Sequence, residues 1–223
     1  RTPIGGFQGV LTGASGPHLG ASAIESALER SGVAVDTIDE VLMGCVLAAG
    51  QGQAPARQAA LGAGLPLGVG CTTVNKMRGS GMKAVMLAHD QIHAGSSSIV
   101  VAGGQESMTN APYLLPRARS GLRLGHADVI DHMFLDGLED AYEPGRLMGS
   151  FAEDCADHYS FSREDQDDYA IESLTRATEA IESGAFASQI TRVTVNTRRG
   201  DVTVDIDEQP QTANIEKIPQ LKP

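Results

Sequence analysis

Between residues 19 and 104 the apolar positions switch between two periods. Leu19, Ile24 and Leu28 share one helical face, with Glu25, Glu29 and Arg30 off it, so the spacing predicts a helix over 19–31. Gly32 is placed to stop it. Val41, Leu42, Met43, Cys45, Val46 and Leu47 form a near-continuous apolar run, which predicts a strand over 38–47 buried on both faces, as in a parallel sheet. Pro55 opens a short helix over 56–61, at a position where its missing N–H costs nothing. Thr72, Thr73 and Val74 make a short β-rich run. A tight corner follows, and then a helix over 82–93 with Met82, Val85, Met86 and Ile92 at helical spacing. Ser98–Ala102 is another buried strand, closed by Gly103 and Gly104. Strands alternating with helices predict an α/β parallel sheet with flanking helices.

Near residue 105 the texture changes. Residues 105–145 carry scattered Pro and Gly with no sustained period and read as an irregular excursion. Two helices are expected next. One runs from about Arg146 to His158; the other follows Ser162, an N-cap with Glu164 and Asp165 in the first turn, and ends near Ser183 before Gly184. Segments 189–195 and 201–206 alternate like antiparallel strands around a turn at 198–200. The first 17 residues, rich in Gly with Pro3 and Pro17, read as loop.

Composition narrows the function classes. The 223 residues, 41% apolar, are enough for one or two domains with a sizeable core. A net charge of −11 argues against general nucleic-acid affinity. No apolar run approaches a membrane span, and no signal peptide is evident. Three cysteines, Cys45, Cys71 and Cys155, suit a reducing compartment, and a cytoplasmic location is expected.

The candidate chemistry lies at the corner. A strand that turns abruptly into a helix holds its corner side chain on a rigid turn, and the helix N-terminus beside it stabilises a thiolate or a developing oxyanion. Gly79 and Gly81 are expected to allow close backbone approach there. The stretch Cys71–Val85 resembles the active-site segment of the thiolases, the acetyl-CoA acetyltransferases and 3-ketoacyl-CoA thiolases. The family pattern is an apolar residue, Asn, a basic residue, an apolar residue, Cys, a small residue, Ser and Gly. Val74, Asn75, Lys76, Met77, Gly79, Ser80 and Gly81 match it, and Arg78 stands at the Cys. In the family that Cys accepts the acyl group from acyl-CoA. Further matching segments are Arg1–Gly5, Gly50–Leu61, Val100–Gly104, Glu106–Tyr113, Met148-Gly149, Ser162–Asp167 and Asp207-Glu208.

The resemblance implies a thiolase-like fold with an N-terminal α/β domain over 1–104 and a CoA-covering loop domain over 105–223. The family's first strand and C-terminal domain would lie outside the 223 residues. It implies a coenzyme A thioester as substrate, no covalently bound cofactor, and a homodimer or homotetramer. The expected CoA-lining positions are Leu147, Met148, Gln211 and Leu221, with Leu147 where short-chain members have His and Gln211 where Arg is common. Asn75, Gly79, Ser80 and Gly81 would form the active-site corner. The implied reaction is condensation of two acetyl-CoA molecules or its thiolytic reverse, by acyl transfer through Cys.

Arg78 leaves three readings open: a substituted nucleophile position in an ordinary thiolase, a non-catalytic relative that binds acyl-CoA or a thiolase subunit, or a new role such as an anion contact. A guanidinium stays protonated and non-nucleophilic, and a cation at a helix N-terminus is unfavourable. The first two readings outweigh the third, and the chain as it stands is expected to lack thiolase activity. None of the cysteines replaces the nucleophile: Cys71 lies before the corner, Cys45 on a buried strand, and Cys155 is expected to pack on its helix. His89 and His93, in His-Asp-Gln-Ile-His, echo a zinc-protease motif, but Asp stands for Glu and no third ligand is evident. They read as exposed helix positions. His18, His126, His132 and His158 have no neighbours in sequence that suggest chemistry.

Overall fold

The computed structural model describes residues 1–222. Helix α1 (Gly16–Ser31) starts at Ser15, whose hydroxyl accepts the His18 N–H, and ends at Gly32 in the left-handed region (φ 65°), whose N–H donates to Leu28 O. Strand β1 (Glu40–Gly44), helix α2 (Pro55–Gly62), strand β2 (Gly70–Val74), helix α3 (Ser80–His93) and strand β3 (Val100–Gly104) follow. The strands form a parallel sheet of order β2-β1-β3. Burial of β1 on both faces places it in the centre. Val41 and Met43 face α1 and α2, in a core with Ile24, Leu28, Ala56, Ala59 and Ala60. Leu42 faces the other way, toward Ala84 and Ala88 of α3.

The sheet strands shift relative to the apolar runs. The run over 38–47 is paired only over 40–44, because the N–H groups of Val46 and Leu47 donate to the Glu106 carboxylate at 2.8 and 3.0 Å. Cys45 and Leu47 stay buried beyond the strand. At the other end Ser98 and Ile99 donate their N–H groups to Asp39 Oδ2, so β3 begins two residues later than its hydrophobicity predicts.

In the excursion, β4 (Tyr113–Leu114) and β5 (Ile130–Asp131) pair antiparallel, and α4 (His132–Gly137) follows, capped by Asp131. These pieces are too short to carry a period. Helices α5 (Met148–Tyr159) and α6 (Arg163–Glu182) lie where expected, and α6 opens on a reciprocal cap between Ser162 and Asp165. Strands β6 (Val193–Thr197) and β7 (Gly200–Val204) form the antiparallel hairpin. Helix α7 (Glu208–Thr212) and a 3-10 turn at Ile215–Gln220 are additions that the sequence pattern did not predict. Cys155 on α5 is exposed, which corrects its expected packing role. No helix among the described residues is long and apolar enough to cross a membrane.

The N-terminal loop is fastened to the far end of the chain. Leu11 and Ala14 pack with Val193, Val195 and Val204 of the hairpin. Asp207 accepts from the Arg1 guanidinium at 2.7 and 2.9 Å and from Ile4 N–H at 2.8 Å. Glu208 accepts from the N–H groups of Gly6 and Val10. The hydrogen bonds from Arg1 hold the Asp207 carboxyl below its ordinary value, against the opposing effect of burial. A carboxyl lowered on folding stabilises at pH above its unfolded value, and that stability is lost as pH falls through the folded value. The protein is therefore expected to lose stability below the usual carboxylate range near pH 4. Asp207→Asn is expected to cost about 2 kcal/mol at pH 7 in urea unfolding and to flatten that acid slope.

Candidate active site

The C-terminal ends of the three parallel strands converge on a pocket of ≈ 390 Å³. In open parallel sheets this edge is where ligands bind. Gly44 contributes from β1, Gly104 and Gln105 from the end of β3, and Met77–Gly81 from the turn between β2 and α3. Val46 and Leu47 supply an apolar wall. A second pocket of ≈ 490 Å³, lined by the N-terminal loop and Ser107–Thr109, shares Glu106 and Met108 with the first.

The turn is closed by its own hydrogen bonds. Gly79 N–H donates to Lys76 O at 2.8 Å, and Lys83 N–H donates to Gly79 O at 2.8 Å to begin α3. Ser80 Oγ accepts the Lys76 N–H at 3.1 Å and donates to Lys76 O at 3.0 Å. Arg78 sits at the apex in the left-handed region (φ 65°), a conformation costing an ordinary L-residue roughly 1–2 kcal/mol. Such strain clusters at functional positions, strand-to-helix nucleophile corners among them. The sequence pattern assigns the special backbone to the glycines; in the structure it falls on Arg78. Gly79 has φ −145° and open space around its Cα, while Gly81 lies against Gly104.

Among the glycines that line this pocket, the closest approach is at Gly44. A Cβ there would lie 2.4 Å from Ser80 C and 2.5 Å from Gly81 N. Only hydrogen at this position lets the N-terminus of α3 rest on the end of β1.

The Arg78 side chain does not stay at the N-terminus of α3. It is exposed, and its Nη2 donates to Gly137 O at 2.5 Å. Gly137 is the last residue of α4, so the cation meets the negative end of that helix. The expected conflict between guanidinium and helix N-terminus is thereby relieved.

Among the other site residues, Asn75 is exposed on the approach to the turn. Leu147 precedes α5 and bridges to Glu139, and Met148 N–H donates to Leu138 O, next to the Gly137 that holds Arg78. Leu147 and Met148 thus sit behind the pocket rim. Gln211 lies on α7, exposed, and Leu221, also exposed, gives its carbonyl to Arg163. The structure brings Arg78, Gly79, Ser80 and Gly81 into one pocket, and the four expected CoA-lining residues are not among its walls.

Two further residues shape the site. Glu106 ties Cys45, Val46 and Leu47 together; its place after Gly103-Gly104 at a strand end is the sequence signal that marks it. Burial, then the Glu106 charge, pushes the Cys45 thiol up to about 12, so Cys45 is a protonated core residue and no substitute nucleophile. Burial raises the Cys71 thiol too, against an opposing pull from Arg57. His132, with no chemical neighbour apparent in sequence, is buried in the structure. It bonds through Nδ1 to Asp136 at 2.6 Å, one helical turn on, and its Nε2 accepts the Ala49 N–H at 3.4 Å. The His132/Asp136 spacing was the available signal. Among the described residues no group of three or more His, Cys, Asp or Glu could hold a metal ion.

A parallel α/β sheet with a strained strand-to-helix corner at its carboxyl edge defines an active-site class in which one side chain is presented from a rigid turn. The family model for the thiolase N-terminal domain matches residues 1–223, and the chain belongs to the thiolase family. Over its whole length it is 48% identical to an acetyl-CoA acetyltransferase of Pseudomonas aeruginosa, covering 57% of that protein. It is 49% identical to acetyl-CoA acetyltransferase 1 of Arabidopsis thaliana, covering 54%, and 45% identical to the mitochondrial acetyl-CoA acetyltransferase of Rattus norvegicus, covering 52%. The chain spans about half the length of the curated relatives it matches.

Proposed function

We propose that the protein is an acetyl-CoA C-acetyltransferase by descent, acting on coenzyme A thioesters without a covalently bound cofactor, whose nucleophile position is occupied by Arg78. The observation that carries this is the corner itself. Arg78 takes the left-handed apex of a strand-to-helix turn whose flanking residues, Val74 to Met77 and Gly79 to Gly81, match the thiolase active-site pattern. In that pattern the apex residue is a Cys that accepts the acyl group, with backbone N–H groups stabilising the oxyanion. The uncapped N-terminus of α3 supplies such N–H groups here. The guanidinium supplies no nucleophile.

Residues 1–104 form the N-terminal domain in this reading, and 105–223 the loop domain that covers the CoA. Leu147 and Met148, close behind the rim, line the pantetheine path, and Gln211 and Leu221 lie toward the nucleotide. In this reading the protein is a homodimer or homotetramer with a cytoplasmic location. A second reading, a non-catalytic acyl-CoA binder, draws support from the hydrogen bond of Arg78 to Gly137, which gives the arginine a structural partner.

The test is acetoacetyl-CoA thiolysis by the purified full-length protein, with CoA binding measured by calorimetry on the same sample. CoA binding without cleavage is the expected result. Cleavage by the Arg78 protein would overturn the assignment of that position. No binding to CoA or acetyl-CoA would overturn the substrate class.

A further inference from the structure

His132 is a buried titratable group that the chemistry of the corner does not use. It opens α4 without capping it, since Asp131 accepts the Met133 N–H and fills that role. The ring is instead held at both nitrogens. Nε2 accepts the Ala49 N–H, so it carries no proton. The proton of the neutral ring is then on Nδ1, 2.6 Å from Asp136 Oδ2, and a carboxylate only accepts. Both partners therefore require the same tautomer, but they differ over charge. The Asp136 carboxylate favours an imidazolium, whereas an imidazolium carries N–H at Nε2 and cannot accept from Ala49. The other titratable groups on the surrounding elements are engaged elsewhere. Asp131 caps α4, Glu106 accepts from Cys45, Val46 and Leu47, and burial keeps the Cys45 thiol protonated. Residues 46–54 and 107–112 carry no charged side chain, and the contact from the latter is a carbonyl, Pro112 O, which accepts the His132 N–H.

The two elements that the ring joins both reach the pocket. Ala49 belongs to the loop after β1, which supplies Val46 and Leu47 to the wall. Helix α4 ends at Gly137, whose carbonyl accepts from the Arg78 guanidinium. A Cβ built on Gly137 would lie 3.4 Å from Leu47 Cδ2. Helix and loop thus meet at two points, His132 on Ala49 and Gly137 beside Leu47. The ring itself lines neither pocket at the corner, so any effect on the site passes through these contacts.

We propose that His132 is a positioning residue for the corner. In its neutral form it ties α4 to the loop after β1 and so fixes the Gly137 carbonyl on which Arg78 docks. Protonation at Nε2 turns the acceptor into a donor, the Ala49 N–H loses its partner, and the tie opens. Asp136 holds the ring in the binding tautomer and at the same time favours the charged form that lets go. The two demands on one buried ring give the tie two states within the range where imidazoles change charge.

The test is hydrogen–deuterium exchange of the full-length protein from about pH 8 to about pH 5.5, where imidazoles change charge and ordinary carboxylates stay ionised. Uptake is scaled to the intrinsic exchange rate at each pH. Segments 45–51, 132–138 and 76–81 are expected to rise together about fivefold as pH falls, the equivalent of one net hydrogen bond, while α6 stays constant. His132→Gln keeps an acceptor that does not titrate, and should hold all three segments at their high-pH level throughout. His132→Ala should show raised uptake at every pH and no step. In Asp136→Asn an amide oxygen still accepts from Nδ1 but no longer favours the imidazolium, so the step should move to lower pH. Asp136 is half exposed, so this variant tests the tie independently of whether His132→Gln folds. A step that survives in His132→Gln, or is absent from the unsubstituted protein, overturns the proposal. A step that leaves 76–81 unchanged overturns the link to Arg78. A step at unchanged pH in Asp136→Asn removes that carboxylate from the device.

Discussion

Arg78→Cys, introduced into the full-length protein, is expected to create an acetyl-enzyme on incubation with acetyl-CoA. The backbone needs no rebuilding. The apex conformation is already left-handed, and the turn is closed by Ser80 and Gly79 through hydrogen bonds that do not involve the Arg78 side chain. A thiol placed there faces the uncapped N-terminus of α3, which lowers its pKa and raises its thiolate fraction at neutral pH. The loss of the Gly137 contact breaks one exposed hydrogen bond, a cost of about 1 kcal/mol. The measurement is intact mass followed by peptide mapping. One acetyl group at position 78 is the expected outcome, against none for the Arg78 protein. A folded, CoA-binding Arg78→Cys protein that takes up no acetyl group would favour the non-catalytic reading.

The second large effect is on stability. Gly44→Ala is expected to destabilise by about 3 kcal/mol, at the upper end of the usual cost of overpacking. The added methyl meets backbone atoms of Ser80 and Gly81, which cannot swing aside as a flexible side chain would. The N-terminus of α3 must lift from the sheet, which loosens Leu42 against Ala84 and Ala88 and misplaces the corner. Gly79→Ala is the matched control. It lies at the same corner with nothing within 4 Å of its added carbon and a negative φ, and should change stability by less than about 0.5 kcal/mol. Urea unfolding of the two variants decides the matter. Equal midpoints would refute the close-approach argument.

How far the sequence could be read depended on where each backbone group found its partner. The parallel sheet and its helices followed from apolar runs, which report burial directly. The strand ends did not, because Glu106 and Asp39 capture backbone N–H groups that hydrophobicity alone assigns to the ladder. Residues 105–145 stayed opaque since two-residue strands and a six-residue helix carry no period. At the site, the residue types of the corner were legible. The positive φ of Arg78 was not, because the pattern offers glycines on either side for the special backbone, and the reach of its guanidinium to α4 was not, because it depends on a contact spanning 59 residues. Gly44, the tightest glycine at the site, looked like one more small residue at a strand end. The burial of His132 likewise comes from tertiary packing against the loop at Ala49.

The clasp between the N-terminal loop and Asp207-Glu208 sets a timetable for synthesis. Arg1, Ile4, Gly6 and Val10 have their partners about 200 residues later in the chain. At ribosomal rates of about 5–20 residues per second, that interval is roughly 10–40 s. Strands β1 to β3 and helices α1 to α3 draw only on residues up to 104, all of which are made well before then. Leu11 and Ala14 meanwhile wait for a hairpin not yet made. During synthesis the loop over residues 1–14 is therefore among the last parts of the described residues to settle, although it is made about 200 residues ahead of its partners.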